Sequence, residues 1–356
     1  MTQGSFDKEN NYSIINNIKS RGFGDIHIYH CNKTQLTAII AIHSTKLGPA
    51  IGGCRCLEYT DFNSAIEDAM KLGRAMSYKA AIHDLPHGGG KSVLIKPKNI
   101  SNRQEYFHKF ADFVNQQCGR YITSVDSGTS TSDMNFVLEK TEYVLGYNRQ
   151  EEHYSNDPSV LTAKGVKHAI SAAVSHKMGR DLSGVTVAIQ GAGNVGSNLC
   201  KLLLKAGAKV KVADIDQSKV TALVEKFQVE AVSNTDILNT ECDVLAPCAL
   251  GGIINNDTIN KLKCKIICGA ANNQLADPIL SESLHKMGIL YIPDYLANGG
   301  GLIFVASNYV DDSDAVMLGK IDAMHERVKN ILSIANSEQN TPLKVCERIA
   351  LENIER

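Results

Sequence analysis

Val185-Thr186-Val187-Ala188-Ile189-Gln190-Gly191-Ala192-Gly193-Asn194-Val195-Gly196 is the stretch that decides the fold. The first six residues, aliphatic and β-branched, read as a buried strand, and the glycine-spaced turn after them opens a helix over residues 198–205. In such a strand–turn–helix unit Gly191 makes the tight turn and Gly193, flanked by Asn194 and Val195, admits a pyrophosphate to the helix N-terminus. Gly196 lets helix and strand pack closely. The next strand, residues 209–213, ends at Asp214, 23 residues past Gly191. A carboxylate there accepts hydrogen bonds from the adenosine ribose and repels a 2′-phosphate, and no arginine follows it. The motif therefore binds a dinucleotide, and NAD is favoured over NADP.

Downstream, residues 242–246, 265–268 and 289–292 continue a parallel sheet, with helical stretches between them. The loops after two of these strands, Pro247-Cys248-Ala249-Leu250-Gly251-Gly252 and Gly269-Ala270-Ala271-Asn272-Asn273-Gln274, belong at the carboxyl edge, over the cofactor. A long helix at 158–178 precedes the motif. Long helices follow from about residue 312, and Thr341-Pro342 opens the last with a cap and a proline.

Upstream, a polar leader and a short amphipathic helix fill residues 1–24, and alternation at 26–28 and 36–42 marks two strands. Leu47-Gly48-Pro49-Ala50-Ile51-Gly52-Gly53 reads as a loop. A helix with a capping box at Ser64-x-x-Glu67 carries Lys79 near its end. Leu85-Pro86-His87-Gly88-Gly89-Gly90-Lys91 reads as a bare loop that aims Lys91 at a bound group, followed by a buried strand at 92–95. Ser101-x-x-Gln104 caps another helix, and a strand at 121–125 ends in Asp126. Two ammonium groups converging on one cleft repel each other, which lowers the proton affinity of one and makes it a base near neutral pH. Solvated surface lysines beside a plain turn, and a turn aspartate, are the bland readings of the same residues. The polar stretch 146–157 is the expected hinge. It separates an N-terminal α/β domain, 1–145 with a returning helix at 338–356, from a Rossmann-type doubly wound domain at 146–337, with a cleft between them.

Composition excludes several classes. The 356 residues are 43% hydrophobic and 21% charged, with a net charge of −1 and no long basic run, which disfavours nucleic acid or an anionic membrane as partner. No apolar run reaches the ~18 residues of a spanning helix. Ten cysteines without framework spacing read as reduced thiols of a cytoplasmic protein. Cys54-x-Cys56, lacking a second ligand pair, reads as structural thiols rather than a metal site.

Taken together, Lys79, Lys91, Asp126 and the glycine motif resemble the dehydrogenases of glutamate, leucine, phenylalanine and valine. The loops at 47–53, 247–252 and 271–275 are most similar to the leucine branch. The resemblance runs from about residue 26 to the last helix. It implies that Lys79, helped by Asn273, binds the substrate α-carboxylate, and that Lys91 activates water. It also implies that Asp126 exchanges the proton on the substrate nitrogen and that Thr162 holds the nicotinamide carboxamide. NAD would lie against Gly191, Gly193, Asn194, Val195, Gly196, Asp214, Cys248, Ala249 and Asn273. Ile51 stands where glutamate-specific relatives carry a lysine, and with Gly52, Ser124, Leu302 and Val305 it would line an apolar pocket. Leucine, isoleucine and valine are the implied substrates, converted with NAD to 2-oxo acid and ammonia by a homo-oligomer (dimer to octamer). Ser124, Leu302, Phe304 and Pro86-His87 depart from the leucine pattern and keep phenylalanine or tryptophan open. An inactive nucleotide-binding regulator and a hydroxy-acid or decarboxylating dehydrogenase are the readings from other classes.

Overall fold

The computed structural model describes residues 16, 18–19, 22–23, 25–147 and 157–356. The greater part of the expected leader and first helix, and of the expected hinge, lies outside the described residues. The chain divides into two compact units, Met1–Glu151 with Leu351–Arg356, and Glu152–Ala350.

The first unit is built on β1 (Asp25–Cys31), β2 (Leu36–Ser44), β3 (Ala50–Leu57), β4 (Gly88–Ile95) and β5 (Tyr121–Val125), in the order β1-β2-β4-β3-β5. β1, β2 and β4 pair antiparallel, while β3 runs parallel to both β4 and β5. Helix α1 (Phe62–Ile82) crosses from β3 to β4, and α2 (Arg103–Asn115) and α3 (Thr131–Leu138) flank β5.

Two stretches expected as loops enter strands: residues 50–53 of the loop expected at 47–53, which open β3, and the glycines ahead of Lys91, which open β4. Glycine reads as a loop signal, yet here it serves close backbone approach. A Cβ at Gly52 would lie 1.8 Å from the Gly90 carbonyl oxygen, and one at Gly89 would lie 2.0 Å from the Ser77 nitrogen of α1. Only bare backbone lets β3, β4 and α1 come this close. Cys54 and Cys56 point from β3 into a core with Tyr106, Phe107, Phe110 and Tyr121. Two caps also shift. Asp61, not Ser64, caps α1, accepting the Ser64 N–H at 2.7 Å, and Asn102 rather than Ser101 caps α2. In each case the side chain nearest the first helical residue reaches the free N–H groups.

In the second unit, α4 (Pro158–Met178) precedes β6 (Thr186–Gln190), α5 (Asn194–Lys205), β7 (Lys209–Ala213), α6 (Gln217–Phe227) and β8 (Glu230–Ala231). Then come β9 (Val244–Pro247), β10 (Ile266–Ile267), α7 (Leu280–Lys286) and β11 (Leu290–Tyr291). Helices α8 (Asp294–Ala297), α9 (Gly300–Tyr309), α10 (Asp314–Asp322), α11 (Met324–Ser337) and α12 (Pro342–Glu355) complete the chain. The sheet order β11-β10-β9-β6-β7-β8 is parallel throughout. Counted within the unit, this is the Rossmann order 3-2-1-4-5-6, whose switch point falls between β6 and β9. The chain rejoins the first unit at Leu351, later than residue 338. Asn353 Nδ2 there donates to the Ala81 carbonyl (3.1 Å), whereas Lys344, earlier in α12, pairs with Glu282 of the second unit at 2.6 Å.

Candidate active site

Strand register brings one set of the expected residues together in the first unit. Ile51 pairs with Gly89 and Ile122, and Gly53 pairs with Ser124. Side chains alternate along strands, so Ile51, Gly53, Lys91 and Ser124 share one face of the sheet. Helix α1 lies on that face over Gly89 and carries Lys79 in its last turn. Gly52 belongs to the other face, where Tyr121 Oη donates to its carbonyl (2.7 Å).

Asp126 follows β5, and its side chain lies over Gly53, where a Cβ would come within 2.8 Å of Asp126 Cβ. Lys91 Nζ, in a residue only 5% exposed, donates to Asp126 Oδ2. The Asp126 N–H donates to Thr129 Oγ1 (2.9 Å), and that hydroxyl donates to the Cys54 carbonyl (2.9 Å), so the turn carrying the carboxylate is fixed. Burial raises the affinity of Asp126 for a proton. The Lys91 ammonium and then the Arg55 guanidinium outweigh burial and hold the carboxyl below the usual carboxylate range. The sequence suggested that Lys91 would meet a second ammonium. Its charged contact is instead a carboxylate.

Arg55 escaped the sequence reading. It stands two residues past Gly53 on β3, with Nε 3.5 Å from Asp126 Oδ2. The signal is a charged residue inside a strand, and with residues 47–53 read as a loop the strand that holds Arg55 is not recognised.

Another set gathers at the carboxyl edge of the parallel sheet of the second unit. Gly191 takes φ +106°, which only glycine adopts freely, and a Cβ at Gly196 would lie 1.9 Å from the Gly191 oxygen. Gly193 caps α5 without a side-chain hydrogen bond, and a Cβ there would meet nothing within 4 Å. The N–H groups at the start of α5, beside Asn194 and Val195, therefore face open space suited to a phosphate. Asp214 Oδ2 accepts the Ala192 N–H (2.6 Å) and Oδ1 accepts the Asp216 N–H (2.8 Å), which aims the carboxylate at this turn.

The two polar loops interlock beside it. Gly191 packs against Ala249, and the Cys248 N–H donates to the Gln190 carbonyl (2.7 Å). The Gly252 N–H donates to the carbonyl of Asn273, which takes φ +52°. Burial pushes the Cys248 thiol up to about 12, so it stays protonated. The Asn273 N–H donates to Asp294 Oδ2, and Asn298 Nδ2 donates to Asn272 Oδ1 (2.8 Å). Asp294 and Asn298 are further members that the sequence reading passed over. Thr162 Oγ1 donates to the Pro158 carbonyl (2.9 Å) and abuts Gly301 at the start of α9. Leu302 and Val305 lie one turn apart on α9, the first buried and the second half-buried. Among the described residues no group of three or more metal-ligating side chains is assembled, and no helix is long and apolar enough to cross a membrane.

A Rossmann unit with an open glycine turn, joined in one chain to a unit bearing a buried lysine–carboxylate pair, defines a nicotinamide-dependent oxidoreductase. Residues 27–143 match the dimerisation domain of Glu/Leu/Phe/Val dehydrogenases, and residues 155–222 and 210–354 match the Glutamate/Leucine/Phenylalanine/Valine dehydrogenase domain. The chain belongs to this family of amino-acid dehydrogenases. It is 42% identical to the leucine dehydrogenase of Geobacillus stearothermophilus over 324 residues, covering 91% of this chain and 88% of that one. It is 37% identical to the phenylalanine dehydrogenase of Thermoactinomyces intermedius over 339 residues, covering 94% and 92%. The crystal structure of L-tryptophan dehydrogenase from Nostoc punctiforme superposes with a TM-score of 0.83 at 35% identity, covering 96% of this chain and 98% of that one.

Proposed function

We propose that this chain catalyses the reversible, NAD-dependent oxidative deamination of an apolar L-amino acid, with branched-chain side chains, leucine first, preferred. The observation that carries the proposal is the pairing of the buried Lys91 with the part-buried Asp126, seated over Gly53, in a member of this family. The Lys79 ammonium anchors the substrate α-carboxylate, with Asn273 assisting. Asp126 takes a proton from the substrate ammonium, leaving the amine free to form an iminium. Lys91, once its own proton has passed to solvent, accepts a proton from the water that adds to Cα, and the ammonium so re-formed stabilises the carbinolamine oxygen while Asp126 returns its proton to the departing nitrogen. Gly191, Gly193, Asn194, Val195, Gly196, Asp214, Cys248, Ala249 and Thr162 would hold NAD, which supplies the hydride acceptor when bound. Ile51 and Ser124 in the first unit, and Leu302 and Val305 in the second, are the residues proposed to meet the substrate side chain, and none of them offers a charge to a second substrate carboxylate.

A methylene in such a pocket separates substrates by only about 1–3 kcal/mol. The phenylalanine and tryptophan dehydrogenases among its relatives support the second reading, an aromatic amino-acid substrate. The cytoplasm is the proposed location. A homo-oligomer is the proposed assembly, supported by an edge strand, β1, that leaves Ile28 55% exposed.

The test is NADH formation by purified protein with leucine, valine, phenylalanine and tryptophan, beside Lys91→Ala. Turnover fastest with leucine and lost in Lys91→Ala supports the proposal. NADH from no amino acid would leave a nucleotide-binding regulator, and reduction of a 2-oxo acid without ammonia would point to a hydroxy-acid dehydrogenase.

A further inference from the structure

We infer that Arg55 is a positioning residue for this reaction: its guanidinium supplies a fixed positive charge that keeps Asp126 ionised and in place, ready for the substrate proton, when Lys91 has given up its own. The inference rests on the deamination proposed above.

Arg55 is itself held. Its Nη1 donates to both oxygens of Asp68 on α1, at 3.2 and 2.9 Å, and Tyr59 Oη donates to Asp68 Oδ2 at 2.7 Å. That anchorage leaves the Nε edge facing Asp126. Nε is buried, makes no hydrogen bond, and lies 3.5 Å from Asp126 Oδ2. The contact is one of charge rather than of hydrogen bonding, so the Asp126 lone pairs stay available to Lys91 and to a substrate nitrogen.

The need for a second cation follows from the work asked of Lys91. A lysine that activates water must pass through its neutral form. A buried carboxylate whose sole counter-ion loses its charge is left unpaired, and it takes up a proton instead. Arginine keeps its charge throughout the working pH range. The other groups around Asp126 offer no substitute. Thr129 is neutral, burial pushes the Cys54 thiol and the Tyr59 phenol up so that both stay protonated, and Asp68 is an anion already committed to Arg55.

Three enzymes are compared: wild type, Arg55→Gln and Arg55→Lys. The readouts are the pH dependence of kcat/KM for the amino acid, kcat and KM taken separately, and urea unfolding in a cycle with Asp126→Asn. Loss of the neighbouring positive charge raises the proton affinity of Asp126. The acidic limb of Arg55→Gln is therefore expected to move up by about one pH unit or more. Its kcat should drop about tenfold or more, within the range for a general base placed in the wrong protonation state, while KM for NAD holds. Arg55→Lys restores most of the limb position. In the unfolding cycle the Arg55→Gln and Asp126→Asn effects should be non-additive by about tenfold in the folding equilibrium. An unmoved limb, or additive unfolding effects, in an enzyme that does oxidise amino acids overturns the inference and leaves the proposed activity standing. A wild-type protein that oxidises no amino acid removes both together.

Discussion

Replacing Gly53 with alanine adds one methyl group at the point where β3 passes beneath Asp126. Gly53 is not among the residues with positive φ, so alanine fits the backbone and any cost comes from contact. The new Cβ would lie 2.8 Å from Asp126 Cβ, 3.0 Å from the Val125 oxygen and 3.3 Å from Asp126 Cγ, where ordinary contact begins at 3.4 Å. The Asp126 side chain must therefore retreat by 0.6 Å, the difference between 2.8 and 3.4 Å. A misplacement of about 1 Å at a catalytic group costs on the order of a hundredfold, so this one should lower kcat about tenfold. Crowding of this kind should also cost about 1–3 kcal/mol of stability. The assay is the initial rate of NADH formation with saturating leucine, alongside a urea unfolding curve. KM for NAD should stay put, because the glycine turn that would receive it belongs to the other unit. Gly52→Ala is the contrasting case. Its Cβ would strike the Gly90 carbonyl oxygen at 1.8 Å, backbone that has nowhere to go, and that chain should fail to fold. A Gly53→Ala enzyme with wild-type kcat and stability would refute the placement of Asp126 over Gly53.

Three further outcomes follow from the same geometry. Gly196→Ala sets a Cβ 1.9 Å from the Gly191 oxygen and should abolish NADH binding, read as loss of the fluorescence change on titration, while far-UV circular dichroism shows the helices still formed. Asp214→Ala removes the acceptor for the Ala192 and Asp216 N–H groups and the charge that repels a 2′-phosphate. KM for NAD should rise about tenfold, the scale of one or two charge-assisted hydrogen bonds, and discrimination against NADP should shrink; an unchanged NAD to NADP ratio would count against the role of this carboxylate. His87 is fully buried, with Nδ1 2.6 Å from the Gly88 carbonyl oxygen, and burial lowers its pKa from 6.5 to about 4. The unfolded chain binds that proton first, so this contribution to stability is complete above about pH 6.5 and is lost as pH falls from there to about 4. It amounts to at most about 3 kcal/mol. Urea midpoints of wild type should fall across this window more steeply than those of His87→Asn, and parallel curves would exclude His87 as the titrating group.

What could be read from the sequence, and what escaped it, divide along one physical line. The Rossmann unit was legible because each of its signals is local: an aliphatic strand, a glycine turn, a helix, and an acid at the end of the next strand. The strand boundaries shift by at most two residues, and the largest shift is the start of α5, at Asn194 rather than 198, because Gly193 serves as its cap. In the first unit the signs of the same residue type reversed. Gly52, Gly53, Gly88, Gly89 and Gly90 have the composition of loops, and local propensity assigns them there. Their places in β3 and β4 are set by partners distant in sequence, among them Ser77 of α1, Ser44 of β2 and Tyr121 of β5. Reading 47–53 as a loop leaves the strand that follows unrecognised and Arg55 unnoticed, since a charged residue demands a partner only once it stands inside a sheet. Asp126, Lys79 and Lys91 stand out in the sequence by their places at a strand end, at a helix end and behind a glycine run, whereas the pairing of Lys91 with Asp126 depends on register. Lys91 and Asp126 are 35 residues apart in sequence, and they meet because β3 lies between β4 and β5 and carries a glycine at the crossing. A side chain at that point would separate the base from its counter-ion. The bare backbone of β3, as much as any charged group, makes this carboxylate usable.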